Sequence, residues 1–242
     1  MPRTDIPDWF LFRIAVREHR VLLHCGAGFA DEAQLYDKYG FSRVVWVEAN
    51  PSILGKIIDN LSVYPSQEVH CAALWDEDDH ELKLYSASNV YSSSLLTPKQ
   101  HIKNFPQISF VDGVTVKTRR LDSLQLEVPP SSFLVMDLQG AEARALRGAR
   151  KTINQMAFVY SEFSLSELYE GGSTLTELRE ALGEDFEILI KAEDSRVGYG
   201  NVLFIRKGRR KNFYIRFLWL LLTMWDKLRL LLSKLKSTFM TL

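Results

Sequence analysis

Short, uninterrupted apolar runs alternate with helical stretches along most of the chain, and this alternation most constrains how the chain can fold. Two of the runs, 44–47 and 133–136, are apolar at every position. Uniform apolar character indicates strands that are buried on both faces, as in a parallel sheet covered by helices. We therefore predict an α/β fold with a doubly wound, mostly parallel, Rossmann-like sheet.

The remaining patterns fill in the order of elements. We predict parallel or late strands at 21–25, 44–47, 69–74, 133–136, 158–163, 186–190 and 202–205, and helices at 2–19, 31–39, 51–61, 143–156 and 174–182. Segments 81–86 and 114–121 alternate apolar and polar residues, which predicts an antiparallel pair beside the main sheet. The polar, serine-rich stretch 86–106 between them predicts a loop over the sheet edge.

Charge divides the chain into two parts. Residues 206–242 carry ten Lys or Arg and one Asp, whereas the rest carries 20 basic and 29 acidic residues. We predict a domain over 1–205 and a basic amphipathic helical tail over 206–242, with Trp219 and Trp225 among its apolar residues. Such a tail is typical of a peripheral contact with an anionic membrane face, and packing on the body of the protein is the alternative.

Cysteine and histidine usage argues against a metal site. The two cysteines, Cys25 and Cys71, do not form a C-x-x-C pair, and the five histidines show no paired ligand spacing. Zinc sites need such spacings, so we expect no metal. Two lone thiols at strand ends are typical of small buried hydrophobes in a reducing compartment. We expect a cytoplasmic protein, with the tail directed to the inner membrane face.

A glycine-rich turn follows the first predicted strand, and an acid follows the second. Gly26-Ala27-Gly28 comes directly after the first strand, and Glu48 lies 22 residues beyond Gly26. Glycines let a ligand approach the backbone closely, and an acid at this spacing can accept the two hydroxyls of a ribose. The pattern predicts a cofactor that contains a nucleoside.

The acids that follow this turn decide between two cofactors. A dinucleotide site needs a third glycine near position 31, where this chain has Asp31 followed by Glu32. Carboxylates there would repel a pyrophosphate, which the dinucleotide pattern places at the helix start. S-adenosylmethionine carries a sulfonium and an ammonium and no phosphate. The sequence therefore favours S-adenosylmethionine over NAD. NAD as the cofactor would make the protein a dehydrogenase.

Several segments together resemble the FkbM-like methyltransferases. The matching segments are 21–36 (VLLHCGAGFADEAQLY), 45–51 (VWVEANP), 91–96 (YSSSLL), 137–142 (DLQGAE), 146–149 (LRGA), 160–162 (YSE) and 167–169 (ELY). The resemblance runs from about Val21 to Arg206. It departs from the family pattern at His24, where the family usually has Asp, and at Ala30, where it often has Gly.

The resemblance implies a class I methyltransferase fold, S-adenosylmethionine as cofactor, and O-methylation of sugars or other natural-product hydroxyls. By the resemblance, Gly26, Gly28 and Glu48 would hold the cofactor, and Asp137 would lie near the methyl group. Our full set of candidate cofactor-binding residues is Gly26, Ala27, Gly28, Glu48, Asn50, Asp76 and Ser93.

O-methylation needs a base that removes the proton of the acceptor hydroxyl. Asp137 is the preferred candidate, because it follows a buried strand at the edge where such sheets hold ligands. Glu162 and Glu142 are further catalytic candidates, although Glu142 would equally stabilise a helix start. We expect His24 to be a hydrogen-bonded neighbour and His101 to be a solvated loop residue.

The sequence thus predicts an O-methyltransferase that acts on a small molecule or a glycan. We expect no nucleic-acid partner, and the oligomeric state stays open. A degenerate methyltransferase fold that serves as a membrane-associated scaffold is the non-enzymatic alternative.

Overall fold

The computed structural model describes residues 6–7, 10–12, 21–194, 198–208, 217–222 and 224. Within them the main sheet has seven strands in the order β3-β2-β1-β7-β8-β10-β9. The strands of this sheet are β1 (Val21–Cys25), β2 (Arg43–Glu48), β3 (Gln67–Cys71), β7 (Ser132–Met136), β8 (Met156–Ser164), β9 (Phe186–Asp194) and β10 (Tyr199–Arg206). Neighbouring strands from β3 to β8 pair in parallel, and β10 is antiparallel to both β8 and β9.

Helices cover both faces of this sheet, which confirms the predicted doubly wound architecture. The α-helices are α1 (Ala33–Tyr39), α2 (Leu54–Leu61), α3 (Gln100–Asn104), α4 (Glu142–Arg147), α5 (Arg150–Ile153) and α6 (Leu175–Leu182). Apolar side chains of α1 and α2 join one core with residues 10–12, and those of α4, α5 and α6 join the other. Alternate residues of each central strand enter opposite cores, Val44 one and Val45 the other. Burial on both sides explains why these strands are apolar at every position.

A second, three-stranded sheet has the order β4-β6-β5, from β4 (Ala73–Leu74), β5 (Glu81–Ala87) and β6 (Phe110–Arg119). The antiparallel β5–β6 pair confirms the predicted excursion. The prediction of a single strand at 69–74 is wrong. The last hydrogen bond to the main sheet is from Ala72 N–H to Glu48 O of β2, at 2.8 Å. The next two residues form β4 of the second sheet. The predicted loop at 86–106 contains a 3-10 turn (Val90–Ser92) and α3.

The helix predicted over 143–156 is two short helices, α4 and α5, separated at Gly148. A Cβ on Gly148 would lie 2.2 Å from the carbonyl oxygen of Trp75. The close backbone approach keeps this position as glycine, and glycine is a weak helix former. Another prediction is half right: Cys25 is buried, whereas Cys71 is exposed at the end of β3.

Both chain ends are described only in part. Residues 10–12 are helical, whereas residues 6–7, which the predicted helix over 2–19 also included, are not. The other positions of that helix lie outside the described residues, as does the polar face of the tail. Residues 217–222 and 224 are helical, and Leu218 and Trp219 pack against one core. The rings of Trp219 and Phe10 lie 5.5 Å apart between centroids. In the described part of the chain, no helix has the length and apolar character to cross a membrane. The domain boundary at 205 stays a prediction.

Candidate active site

The strand order reverses direction between β1 and β7, and ligands of open α/β sheets bind beyond the strand ends at such a point. There the end of β1 is hydrogen-bonded to both of its neighbours in the sheet. Asp137 N–H, just after β7, donates to Cys25 O at 2.9 Å, and Gly26 N–H donates to Val47 O of β2 at 2.9 Å. Gly26 has φ +94°, and a Cβ on it would lie 1.8 Å from Asp137 O. Only glycine fits this position, so the turn after β1 can run directly beside the end of β7.

Glu48 at the end of β2 is fixed by backbone donors. Gly28 N–H donates to one carboxylate oxygen at 3.1 Å, and Asn50 N–H donates to the other at 2.8 Å. Burial raises the pKa of Glu48, and these backbone hydrogen bonds oppose the rise. The half-buried carboxylate is thus held in one orientation, where it can accept ribose hydroxyls.

A cleft runs between Gly26, Glu48 and Asp137 and continues under the serine-rich segment. Its described lining residues are Gly26, Gly28, Glu48, Ala49, Leu74, Leu84, Val90, Tyr91, Ser93, Leu95, Asp137, Leu138 and Gln139. The charged groups among them are the two carboxylates. Apolar walls suit an adenine base, and carboxylates suit a cationic sulfonium but not a pyrophosphate. The residues present therefore fit S-adenosylmethionine.

Tyr91 covers the glycine turn and was missed by the sequence analysis. A Cβ on Gly28 would lie 2.9 Å from the Tyr91 ring, and the Tyr91 hydroxyl hydrogen-bonds to the Asp31 carboxylate. Burial and, to a smaller extent, the hydrogen bond to the Asp31 carboxylate raise the pKa of Tyr91 to about 12. The only sequence signal was that Tyr91 begins the serine-rich motif. A neighbouring departure is also visible: Ala30 has φ +57°, a conformation that favours the glycine of the family pattern.

A second cavity of about 450 Å³ lies beside the cleft, and Asp137 lines both. Its described walls come from residues 6–7 and 11–12, from the start of α1 and from the ends of β1, β7, β8 and β10. Its described polar lining residues are His24, Glu32, Tyr36, Asp137, Tyr160, Glu162, Tyr199 and Asn201. Glu162 and Asn201 face each other across the β8–β10 pair. Of the predicted catalytic residues, the fold thus brings Asp137 and Glu162 to one cavity.

A short relay orients the Asp137 carboxylate. Gln139 Nε2 donates to Asp137 Oδ1 at 2.6 Å, and the Tyr169 hydroxyl lies 3.0 Å from Gln139 Oε1 and 2.8 Å from Ser92 O. Gln139 has φ +50°, which costs about 1 kcal/mol or more for a residue with a Cβ. The turn therefore holds Gln139 in a strained conformation that directs its amide to Asp137.

Glu142 is the predicted catalytic residue that lies away from both cavities. It is buried, and its Oε1 accepts from Leu138 N–H at 2.9 Å and from Gly140 N–H at 3.1 Å. Burial raises its pKa to about 7. It is not among the described lining residues of either cavity. These contacts give Glu142 a role in closing the turn after β7. The alternative that we left open was a structural role at the helix start, and the observed structural contacts lie instead in the turn that precedes α4.

His24 and His101 are both buried, and only the burial of His24 was expected. His24 is buried as predicted, its Nδ1 lies 2.9 Å from the Tyr36 hydroxyl, and its ring stacks on Trp46 at 4.6 Å. Burial lowers the pKa of His24 to about 4, so the imidazole is neutral at pH 7. The expectation that His101 is solvated is wrong. It is 4% exposed and packs against Phe105.

The remaining candidate residues separate into groups. Ser93 lines the cleft, and its hydroxyl accepts from Ala87 N–H at 3.1 Å. Asn50 supports Glu48 through its backbone, while its side chain accepts from Ser52 N–H at 3.0 Å. Ala27 is buried behind the turn. Asp76 is not among the described residues of the cleft: its carboxylate pairs with Arg144 of α4 at 3.2 Å.

Comparison of the sequence with known proteins identifies a family. The family model described as the methyltransferase FkbM domain matches residues 24–197. A curated relative, 2-O-methyltransferase NoeI of Sinorhizobium fredii, is 35% identical over 114 residues, and the match covers 46% of this chain and 46% of the relative. The chain thus spans about half the length of that relative.

Solved structures of other methyltransferases resemble the chain at TM-scores below 0.5. The putative methyltransferase yhhF from Escherichia coli has a TM-score of 0.47 at 11% identity, covering 84% of this chain and 86% of its own. The magnesium protoporphyrin IX methyltransferase from Synechocystis, solved with bound S-adenosylmethionine, has a TM-score of 0.45 at 10% identity, covering 82% and 75%. The family model, which covers most of the chain, carries the assignment. The chain belongs to the FkbM methyltransferase family, whose cofactor is S-adenosylmethionine.

Proposed function

We propose that this enzyme methylates a hydroxyl of a sugar, a glycoconjugate or a related natural product. The observation that carries the proposal is the position of Asp137, which lines both the cofactor cleft and the second cavity. A group at that junction is within reach of a bound acceptor and of the donor. The name of the relative NoeI, a 2-O-methyltransferase, supports oxygen as the accepting atom.

Asp137 is the proposed general base. The bound cofactor supplies an electrophilic methyl group on its sulfonium. The acceptor hydroxyl oxygen would form the new bond to that methyl carbon while the methyl–sulfur bond breaks, with its electron pair going to sulfur. S-adenosylhomocysteine would leave, and the hydroxyl proton would pass to the Asp137 carboxylate. Gln139 Nε2 donates to Asp137 Oδ1 at 2.6 Å, so the carboxylate is already oriented before the acceptor binds. Glu162, half-buried in the same cavity, is the second candidate for a contact with the acceptor.

The second cavity has the chemistry that a polyhydroxylated acceptor needs. Tyr160 and Tyr199 present aromatic rings with polar ends, and Asn201 and Glu162 offer hydrogen-bonding groups. Sugars have apolar C–H faces and a rim of hydroxyls, so such a mixed wall is complementary to them. This composition favours a sugar over a purely apolar acceptor.

The test is transfer of labelled methyl from S-adenosylmethionine to fractionated glycans, lipid-linked glycans and small molecules from a host extract. We expect one fraction to gain label, and mass spectrometry to locate one added methyl on a hydroxyl oxygen. Label on nitrogen or carbon would contradict the proposal. Cofactor binding without transfer to any fraction would instead support the scaffold alternative.

We also propose that the tail brings the enzyme to an anionic membrane surface. On the described helical segment Leu218 and Trp219 pack against the body, while Phe217, Leu221 and Met224 are 47%, 47% and 58% exposed. Spacings of four and three residues place these three on one helix face. The ten basic residues of 206–242 supply the matching charge for anionic lipid.

Vesicle flotation tests this membrane contact. We expect the full chain to float with vesicles of phosphatidylglycerol and phosphatidylcholine, and less with phosphatidylcholine alone, because the basic charge needs an anionic surface. Serine at positions 217, 221 and 224 together should abolish flotation. Val63→Ser, which removes an apolar residue that is 72% exposed on the body, is the matched control. A full chain that stays in the lipid-free fraction of both vesicle types would contradict the proposal.

A further inference from the structure

The second cavity is negatively charged along its described wall. Its charged lining residues are Glu32, Asp137 and Glu162, and no Lys or Arg occurs among the lining residues that the structure describes. Asp137 also lines the cofactor cleft, so the two spaces adjoin at this residue. A positively charged group that extends from the cleft past Asp137 would therefore enter a field of carboxylates.

Glu32 is the carboxylate that the proposed mechanism does not use. It directly precedes α1 as the N-cap residue, yet its side chain makes no capping hydrogen bond. Glu32 is exposed as a residue, but its carboxylate is partly removed from water, which raises its pKa, and the nearby Asp31 adds to the rise. A carboxylate in such surroundings gains from a cationic partner, which restores the stability of its charged form.

The residue at position 24 bears on which cationic group could pair with Glu32. The FkbM pattern resembled by this chain has an acid at position 24, on the end of β1. Here the side chain is an imidazole that hydrogen-bonds to Tyr36 and stacks on Trp46. Glu32 lines the same cavity from the start of α1. The negative charge that β1 lacks is thus available from a neighbouring element.

We propose that Glu32 binds the ammonium group of the amino-acid half of S-adenosylmethionine, in place of the acid that His24 displaces. The inference deepens the function proposed above and rests on it. Glu48, which lines the cofactor cleft, would hold the ribose, so the two acids would bind different parts of the same molecule. Asp137 lines both the cleft and the second cavity.

Calorimetry with three ligands separates these contacts without any measurement of activity. S-adenosylmethionine carries both the ammonium and the sulfonium, S-adenosylhomocysteine carries the ammonium alone, and 5′-methylthioadenosine carries neither. We expect Glu32→Gln to weaken binding of the first two ligands roughly five- to tenfold, and to leave the Kd of 5′-methylthioadenosine unchanged. Glu48→Gln should weaken all three, because each contains the ribose.

Asp37→Asn is the matched control, since it removes one charge from an exposed position on the same helix. It should leave all three Kd values unchanged, which excludes a long-range charge effect. Equal Kd values for Glu32→Gln and the wild type, a loss that includes 5′-methylthioadenosine, or a loss confined to S-adenosylmethionine would each overturn the inference. Absence of wild-type binding to either S-adenosyl ligand would overturn the proposed function as well.

Discussion

Replacing Asp137 by Asn is expected to lower kcat for methyl transfer by about 100- to 10,000-fold, the usual effect of losing a general base. The amide has nearly the shape of the carboxylate and can still contact Gln139, so the site stays assembled. It cannot accept the proton of the acceptor hydroxyl at neutral pH. The measurement is steady-state transfer of labelled methyl to the identified acceptor, together with the Kd of S-adenosylhomocysteine from calorimetry.

Asp59→Asn is the matched control, because Asp59 is an exposed acid on α2 and the change in charge is the same. We expect its kcat to equal that of the wild type. Retained kcat in Asp137→Asn, combined with a large loss in Glu162→Gln, would move the role of base to Glu162, the other acid of the same cavity. A loss of cofactor affinity that fully accounts for the loss of rate would make Asp137 a binding residue instead.

Replacing Gly26 by Ala is expected to lower the free energy of unfolding by more than about 3 kcal/mol, or to prevent folding. The added Cβ would lie 1.8 Å from the carbonyl oxygen of Asp137, and φ at Gly26 is +94°. Neither backbone can yield alone, because Asp137 N–H is bonded to Cys25 O and Gly26 N–H to Val47 O. Relief of the clash would therefore separate β1 from β7 at the centre of the sheet.

Urea unfolding of the purified variants provides the measurement. Gly40→Ala is the control, because Gly40 also has positive φ, +78°, but an added Cβ there would have no atom within 4 Å. It should cost only about 1 kcal/mol, the ordinary penalty for alanine in the left-handed region. Equal losses in the two variants would show that backbone strain alone, and not contact with Asp137, makes glycine necessary at position 26.

Local patterns were sufficient for the central elements. β1, β2 and β7 were predicted to within about one residue, because buried parallel strands are apolar without interruption and end abruptly at Gly26, Glu48 and Asp137. The region 67–74 was predicted less well. Its strand splits between two sheets at Ala72, and no local pattern records which sheet a residue joins.

Some residues of the candidate site were also predictable from local sequence, and others were not. Gly26, Gly28, Glu48, Asp137 and Ser93 line the cleft, as strand-end positions and motif spacing predicted. Asp76 has an equally plausible sequence position, but Arg144, 68 residues further along the chain, pairs with its carboxylate. Tyr91, Gln139 and Tyr169 are placed at the site by long-range contacts, and only their membership of motif-like segments hinted at a role.

The sequence by itself determined the sheet class, the glycine turn after the first strand and the preference for a cationic nucleoside, because backbone conformation, strand burial and the sign of charge depend on neighbouring residues. The tertiary structure decided which acids line the two cavities. Glu32 and Glu142 both lie at the start of a helix. Glu32 lines the second cavity, whereas the Glu142 carboxylate accepts hydrogen bonds from backbone N–H groups of the turn that precedes it. That choice depends on side-chain direction and on which strands are neighbours, and both are fixed only when distant segments pack together.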